Sequence, residues 1–211
     1  MIPNHYSGKL VAIDGPNGVG KSTLIEKLKV RFAELGVPIL FTREPSESEI
    51  GSFTRRFAEK CTGLPLAYLV GADRYFHLET EIIPELQEGN YVFTDRYVLS
   101  SLILQRMDGV DSYVICEINN NAIKPDLQIV VWANENTLQA RLGERECLTR
   151  FERGNKSGKE LAFMKSGVRI LEEMGVTCVH IRNDSNLDEN VERIVHCVLE
   201  LGDKNERILT C

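Results

Sequence analysis

The stretch that decides the fold is residues 9–23, which read KLVAIDGPNGVGKST. The apolar run 10–13 predicts a buried strand, and Asp14 ends it. From Gly15 onwards the pattern is G-x-x-x-x-G-K-[ST], the phosphate-binding loop or P-loop. Glycines let successive backbone N–H groups turn towards one anion, and the following helix points its positive end at the same place. The stretch therefore predicts a site for a nucleoside triphosphate.

Individual residues of the P-loop have separate predicted roles. Lys21 supplies a cation that can follow charge on the moving phosphoryl group, and the Ser22 hydroxyl can take one site on Mg²⁺. A glycine-rich turn that matches by chance is the competing interpretation, and the strand before the motif and the helix after it argue against chance. The donor-binding residues predicted in the loop are Gly15, Asn17, Gly18, Val19, Gly20, Lys21, Ser22 and Thr23.

The composition limits the class of protein. The chain has 211 residues, of which 43% are apolar and 27% charged, and its net charge is -6. The negative charge argues against general binding to a nucleic-acid backbone. The six cysteines show no C-x-x-C pair and no zinc-ligand spacing, so we interpret them as reduced thiols. With no apolar signal segment and no run of membrane-spanning length, we expect a cytoplasmic protein that binds neither nucleic acid nor membrane.

Apolar segments without a period of two alternate with helical periodicity along the chain. This pattern is typical of a parallel sheet covered by helices on both faces. We therefore predict an α/β fold with a five-stranded parallel sheet, in a single domain over residues 1–211. The five strands are expected at about residues 10–13, 39–42, 91–94, 127–133 and 176–181.

Three local features refine this prediction. Ser46 is expected to cap a helix over about 46–61, and residues at about 65–88 are expected to form a long helical stretch. The segment at about 143–158 is polar and charged, and we expect it to be a mobile flap on a compact body.

Ligands of an open parallel sheet bind at the carboxyl ends of its strands, so the residues directly after each strand indicate the chemistry. Thr42-Arg43-Glu44-Pro45 follows the second strand, and Asp95-Arg96-Tyr97 follows the third. Arginines and acids at one rim favour a site for phosphates and a metal. For either arginine taken alone, a structural ion pair is the alternative.

Four motifs in this order resemble those of the thymidylate kinase family. They are DGPNGVGKS at 14–22, TREP at 42–45, DRYVLS at 95–100 and KPDL at 124–127. The charged segment 143–158 falls where that family has its lid. The resemblance implies a P-loop NTPase fold and a nucleoside monophosphate kinase that uses ATP and Mg²⁺ to convert dTMP to dTDP. It also implies a homodimer.

The resemblance assigns roles to single residues. Arg43 and Arg96 would hold the acceptor phosphate, Arg74 would read the acceptor base, and Arg141 would pack on the donor adenine. Asp95, with Asp14 close by, would organise Mg²⁺ together with Ser22. The residues expected around the acceptor are Asn17, Arg43, Val70, Arg74, Arg96, Tyr97, Ser100, Ser101, Leu104 and Gln105.

Family members carry a catalytic arginine either in the P-loop or in the lid. The loop here has Gly18 and Val19 and no arginine, so the resemblance implies the lid type. The candidates are Arg145, Arg150 and Arg153, beside Lys21, Arg43, Asp95 and Arg96 as the other catalytic residues. A solvated loop is the alternative for any single lid arginine.

Three positions depart from the family pattern, all at the acceptor nucleoside. Asn17 stands where the family usually has an acid, Val70 where a Phe stacks on the base, and Leu104 where a Tyr crowds the sugar 2′ position. Three hypotheses stay open: a dTMP kinase, a kinase for a modified or non-standard monophosphate, and a nucleotide-binding paralogue without transfer activity. If the acid is the missing element, Asn17→Asp should raise activity on dTMP.

Overall fold

A computed structural model describes residues 1–154, 156–184 and 186–206 of the chain, with side chains as far as residue 202. The predicted five-stranded parallel sheet is confirmed, in the order β2-β3-β1-β4-β5. β1 therefore has β3 on one side and β4 on the other. The strand order therefore extends from β1 in opposite directions, and ligands of open parallel sheets bind in the crevice at such a point. Here the crevice lies at the carboxyl end of β1, where the P-loop begins. The strands are β1 Lys9–Asp14, β2 Ile39–Arg43, β3 Tyr91–Asp95, β4 Leu127–Trp132 and β5 Cys178–Arg182.

Helices of the described residues cover both faces of the sheet. They are α1 Lys21–Glu34, α2 Glu49–Phe57, α3 Gly63–His77, α4 Ile83–Gln87, α5 Val98–Met107, α6 Ser112–Ile118, α7 Glu135–Gly143, α8 Ser157–Glu173 and α9 Leu187–Glu206. Along β1, Leu10 and Ala12 pack into the core on one face and Val11 and Ile13 into the core on the other. Burial on both faces explains why the strand shows no alternation of polar and apolar residues.

Of two local predictions, the helix cap at Ser46 was wrong and the helical stretch 65–88 was confirmed. The N-cap of α2 is Ser48, whose side chain accepts a hydrogen bond from the backbone N–H of Gly51 at 3.1 Å. Ser46 instead donates its hydroxyl to Asp73 at 2.6 Å, so this side chain ties the loop to α3. The predicted helical stretch 65–88 is confirmed over residues 63–87, where the π-helical turn Leu78–Ile82 joins α3 to α4.

The cysteines with described side chains are free thiols, at positions 61, 116, 147, 178 and 197. Cys211 lies outside the described residues. Within the part of the chain that the structure describes, no helix is long and apolar enough to cross a membrane.

Candidate active site

The P-loop connects β1 to α1 through backbone conformations that exclude most side chains. Gly20, the residue directly before α1, has a φ of 93°, in the left-handed region that favours glycine. Gly15 packs so closely on β4 that an added Cβ would lie 2.2 Å from the carbonyl oxygen of Val131. The glycines therefore let the loop curl around the N-terminal end of α1, the arrangement that binds phosphates.

Lys21 lies buried at the base of this loop. Its ammonium group donates hydrogen bonds to the carbonyl oxygens of Gly15 at 2.9 Å and Pro16 at 3.3 Å. Burial lowers the pKa of Lys21 to about 8, and the positive charge of Arg96 adds to the lowering while Asp95 opposes it. The loop thus holds a cation that is poorly compensated until an anion binds.

A cleft of about 280 Å³ extends from the P-loop towards the end of β5. Arg141 of α7 borders it and donates to the carbonyl oxygens of Val19 at 2.9 Å and Asn183 at 3.0 Å. The Asn183 amide donates to the same Val19 carbonyl at 2.8 Å. Arg141 therefore lies beside the P-loop, and its packing on the donor adenine stays a prediction, while the contact of Asn183 with the loop was not predicted.

Asp14 is buried at the centre of the sheet with protein donors on both carboxylate oxygens. It accepts hydrogen bonds from the Ser100 hydroxyl at 2.5 Å, the Tyr97 backbone N–H at 3.1 Å and the Gln128 amide at 3.0 Å. Burial raises the pKa of Asp14 above its ordinary value, although these donors act in the opposite direction. These contacts favour a structural role, in which Asp14 ties β1 to β4 and α5. A role of Asp14 at the metal stays a prediction.

Asp95, in contrast, has a carboxylate oxygen to spare. Its Oδ1 atom is buried and has no hydrogen-bond partner among the described residues. Asp95 and Ser22 line one cavity of about 140 Å³ together with Lys21. A free carboxylate oxygen beside a hydroxyl suits Mg²⁺, which takes few protein ligands and completes its shell with water and phosphate oxygens. Within the described residues no three His, Cys, Asp or Glu side chains cluster as a metal site.

Arg96 follows β3 in a strained conformation. Its φ of 75° is rare outside glycine, and such a conformation costs about 1–3 kcal/mol. The Arg96 backbone N–H donates to the carbonyl oxygen of Ile13 at 2.9 Å, which helps to hold the turn. The guanidinium donates to Asn17 Oδ1 at 2.9 Å and Ser100 Oγ at 3.2 Å. The turn thus directs Arg96 to the boundary between the P-loop and the neighbouring cavity.

Asn17 is held by a carboxylate that sequence reasoning missed. Glu160 of α8, which is 2% exposed, accepts a hydrogen bond from the Asn17 backbone N–H at 2.7 Å. Its other oxygen accepts from the Asn17 side-chain amide at 2.9 Å. The carboxylate of Glu160 therefore lies next to Asn17, the position where the family usually has an acid. The only signal for it is an acid in the first turn of α8, which nothing in the sequence places beside the P-loop.

A largely apolar cavity of about 290 Å³ lies beside Asn17 and Arg96. It brings together most of the residues expected around the acceptor, namely Asn17, Val70, Arg74, Arg96, Ser100, Ser101, Leu104 and Gln105. The Gln105 Oε1 atom is buried without a hydrogen-bond partner among the described residues. Buried polar atoms are rarely left unpaired, so this amide suits a polar ligand group. We call this the acceptor cavity.

Arg74 is fixed in the wall of the acceptor cavity. Its guanidinium donates to the Glu44 carboxylate at 2.6 Å, to the Ser101 hydroxyl at 3.2 Å and to the Asn119 side chain. The guanidinium also lies over the ring of Tyr97 at 5.1 Å. Burial acts to lower the pKa of Arg74, but Glu44 holds it above the ordinary value, so the side chain stays charged.

Two residues predicted around the acceptor lie elsewhere. Tyr97 is fully buried beneath Arg74, and its hydroxyl donates to the Ile123 carbonyl at 2.8 Å, so it supports the arginine from the core. The Arg43 side chain is 56% exposed, pairs with Glu47, and borders a neighbouring cleft that it shares with Ser22 and Asp95. Arg43 does not line the acceptor cavity, and its role at the acceptor phosphate stays a prediction.

A different arginine, Arg55 of α2, lines the acceptor cavity. It donates to the backbone carbonyls of Pro45 and Ser46, the latter at 2.7 Å. Its guanidinium also reaches Glu47 at 3.1 Å. Sequence reasoning missed it, because a pair of arginines near the end of an amphipathic helix carries no signal beyond a solvated helix face.

The lid comprises residues 144–156, of which Asn155 is not described. Arg145 is the lid arginine that lines the cavity over the P-loop, next to Gly20 and Lys21. It pairs with Glu152, a residue that borders both this cavity and the acceptor cavity. The lid thus brings one guanidinium to the place where the donor phosphates are expected.

The other two candidate arginines fasten the lid to the protein body. Arg150 makes a two-pronged contact with the Asp108 carboxylate at 2.6 and 2.8 Å. Arg153 pairs with Glu59, just beyond α2. Their carboxylate partners lie on the protein body, whereas the partner of Arg145 is Glu152 within the lid, and only Arg145 of the three lines the P-loop cavity.

Comparisons with known proteins agree with this geometry. A family model described as thymidylate kinase matches residues 13–194. A probable thymidylate kinase of Caldivirga maquilingensis is 40% identical over 147 residues, which cover 68% of this chain and 72% of that protein. The thymidylate kinase of Caldicellulosiruptor saccharolyticus is 31% identical over 195 residues, 89% of this chain and 94% of that protein. That of Helicobacter acinonychis is 29% identical over 199 residues, 90% and 99% of the two chains.

The family match covers the P-loop from Asp14 to Ser22, both strand-end arginine motifs and the lid, which are the segments that build the two cavities. The match spans the sheet as well, from β1 to β5. On these grounds the chain belongs to the thymidylate kinase family.

Proposed function

We propose that this nucleoside monophosphate kinase transfers the γ-phosphoryl group of ATP to dTMP. The observation that carries the proposal is the junction of the two cavities, since Asn17 and Arg96 border both the P-loop cavity and the acceptor cavity. Relatives that are named thymidylate kinases support dTMP as the acceptor.

The donor side binds the triphosphate through the P-loop. Its backbone N–H groups and the start of α1 supply hydrogen-bond donors, and Lys21 exchanges its carbonyl contacts for phosphate oxygens. Ser22 and Asp95 would hold Mg²⁺, consistent with the unpartnered Oδ1 atom of Asp95. When bound, the ion neutralises charge on the phosphates. Arg141 lines the cleft beside the P-loop, where we place the adenine of ATP.

The acceptor phosphate is itself the nucleophile, so the reaction needs no strong general base. The protein has to align two polyanions and offset their repulsion. Arg96 approaches from the strand end, Lys21 from the loop and Arg145 from the lid. These three cations meet at the junction of the cavities, and closure of the lid excludes water from it.

The wall of the acceptor cavity suits a nucleoside. Val70 and Leu104 supply apolar surface, and the rigid Arg74 and the unpartnered amide of Gln105 supply polar contacts. A cavity with mostly apolar walls and few polar groups is typical of a small-molecule site. Ser101, which accepts from Arg74, lies at the same wall.

The apolar surface of α2 and α3 supports a homodimer. Phe53 and Phe57 stack along α2 with ring centroids 5.2 Å apart, and both are exposed. Leu64, Tyr68 and Phe76 are exposed on α3, at spacings that place them on one helix face. A second copy of the chain would cover this surface. Light scattering should find a dimer for the wild type and a monomer after Phe57→Glu with Tyr68→Glu.

A coupled ADP-release assay tests the reaction. The acceptors are dTMP, dUMP, dCMP, dGMP, UMP and modified monophosphates, each at fixed ATP and Mg²⁺. We expect the highest kcat/KM for dTMP. Preference for a modified monophosphate would instead favour the second hypothesis. A chain that binds ATP but turns it over with none of these acceptors would overturn the proposal and support a paralogue without transfer activity.

A further inference from the structure

Arg150 makes several of the contacts that dock the lid on the acceptor side of the molecule. Besides its two contacts with Asp108 at the end of α5, its Nε atom donates to the carbonyl oxygen of Ala58 at 2.7 Å. The Arg150 backbone N–H donates to the Glu59 carboxylate at 2.9 Å. The Asp108 side chain is only 7% exposed, so this ion pair is well shielded from water. The lid is therefore joined to α5 and to the segment after α2, both of which border the acceptor cavity.

The next residue, Phe151, lines the acceptor cavity itself. Among the described residues that line this cavity, it is the only aromatic side chain. The guanidinium carbon of Arg150 lies 4.1 Å from the centre of the Phe151 ring. A cation over one face of a ring is attracted to it, so the same arginine that docks the lid also orients the ring.

The wall contributed by α3 lacks such a ring. Val70 and Leu66 present aliphatic surface there, and Tyr68 points to solvent with 61% exposure. Stacking on an aromatic side chain contributes about 1–3 kcal/mol to the binding of a base. An acceptor base in this cavity can obtain that contribution from Phe151 and from no other described wall residue.

We propose that Phe151 is the aromatic platform for the acceptor base, delivered by the lid, and that Arg150 is a positioning residue that holds it in place. This inference rests on the proposed function, since it takes the acceptor to be a nucleoside monophosphate. It makes the lid a part of acceptor recognition and not only of phosphate chemistry.

The position of Phe151 in the lid has a consequence for catalysis. The residue after it, Glu152, pairs with Arg145 over the P-loop. A base that packs on Phe151 therefore stabilises the same lid conformation that brings Arg145 to the phosphates. Because coupling between two binding events is reciprocal, acceptor binding should favour lid closure and lid closure should tighten acceptor binding.

The test separates acceptor binding from turnover. Phe151→Ala and Phe151→Leu should each weaken dTMP binding about tenfold by calorimetry without ATP, and should raise the KM for dTMP by a similar factor. The KM for ATP should stay unchanged, and Phe151→Tyr should retain affinity. Adding Val70→Phe to Phe151→Ala restores a ring on the α3 wall, so it should recover most of the loss. Thermal unfolding checks that each variant is folded.

Arg150 provides the second measurement. Arg150→Ala should raise the KM for dTMP as Phe151→Ala does, and Arg150→Lys should recover only part, because lysine cannot make the two-pronged contact with Asp108. The matched control is Arg56→Ala, an exposed arginine of α2 outside the cavity, which should behave as wild type.

Two results would overturn the inference, and they are distinguishable from failure of the proposed function. If the wild type phosphorylates dTMP but the Phe151 variants bind it unchanged, Phe151 is not the platform. If these variants lower kcat equally for every acceptor with no change in acceptor affinity, the residue only supports the lid. A wild type that phosphorylates no nucleoside monophosphate overturns the proposed function, and this inference with it.

Discussion

The donor and acceptor sides of this site are assembled in different ways. The P-loop is one contiguous segment, residues 15–22, whose glycines and helix start create the phosphate cradle locally. The acceptor cavity draws on the end of β2, on α2, α3 and α5, and on the lid. Contiguous sites can be recognised in a sequence because residue spacing determines their geometry, whereas a dispersed site depends on how distant elements pack.

The three departures from the family pattern all line the acceptor cavity. For two of them, a residue far along the chain supplies the chemical group that is missing. The amide of Asn17 contacts the carboxylate of Glu160, 143 residues away. For Val70, the lid offers Phe151 on another wall of the same cavity. No tyrosine is present among the described residues that line the acceptor cavity, so the one that the family pattern places at Leu104 has no replacement there.

The largest expected effect breaks the donor side. Lys21→Ala removes the buried cation that is expected to follow the transferred group, and kcat should fall by about 10³-fold or more. The free energy of unfolding should change little, because the cost of burying the ammonium group, which lowers the pKa of Lys21, offsets its two contacts with carbonyl oxygens. Lys29→Ala, on the exposed face of α1, is the control for turnover. Turnover near that of the wild type in Lys21→Ala would contradict the placement of the donor.

The next comparison separates the lid arginines. Arg145 lines the P-loop cavity, whereas Arg153 pairs with Glu59 outside it. Arg145→Ala should lower kcat about 10²-fold with little change in the KM for dTMP, since its guanidinium acts on charge in the transition state. Arg153→Ala should cost less than about threefold. Equal losses in single-turnover measurements would show that the lid acts as a whole and not through Arg145.

Asn17→Asp tests the point where the two sides meet, and here the structure reverses the expectation from the sequence. An aspartate would lose the hydrogen bond to Glu160 and face its carboxylate across a buried contact. The free energy of unfolding, measured with urea, should fall by about 1–3 kcal/mol, and activity on dTMP should not rise. Adding Glu160→Gln should restore stability, because one amide and one carboxylate then pair again. A gain of activity in Asn17→Asp alone would show that Glu160 does not take the place of the acid that the family usually has at position 17.

The smallest expected effect is a pH dependence of stability at His77, whose ring lies beside Glu44, the carboxylate that pairs with Arg74. Burial acts to lower the pKa of His77, but Glu44, with Glu81 and Asp73, outweighs it and holds this pKa above the usual 6.5. The protonated ring therefore stabilises the fold fully below about pH 6.5, and this contribution is lost as the pH rises through the raised pKa. The stability difference between wild type and His77→Gln should shrink over that range. A difference independent of pH would mean that His77 acts through packing alone.

Most of the fold could be predicted from the sequence. The five strands were expected near their observed positions because buried parallel strands leave continuous apolar runs such as residues 10–13. The π-helical turn within the stretch 65–88 was not predicted, since one wider turn shifts the spacing of apolar residues too little to be recognised in the sequence. The cap at Ser48 was missed because Ser46 satisfies the same local rule, and its contact with Asp73 decides between them.

The site divides along the same line. By itself, the sequence determined the phosphate-binding loop, the arginine after β3 and the family, because backbone geometry and residue spacing are local properties. Only the tertiary structure decided that Glu160 lies at Asn17, that Arg55 and not Arg43 lines the acceptor cavity, and that Arg145 is the lid arginine beside the P-loop. These contacts join elements far apart in the chain, so they depend on the packing of the helices around the sheet and not on any local pattern.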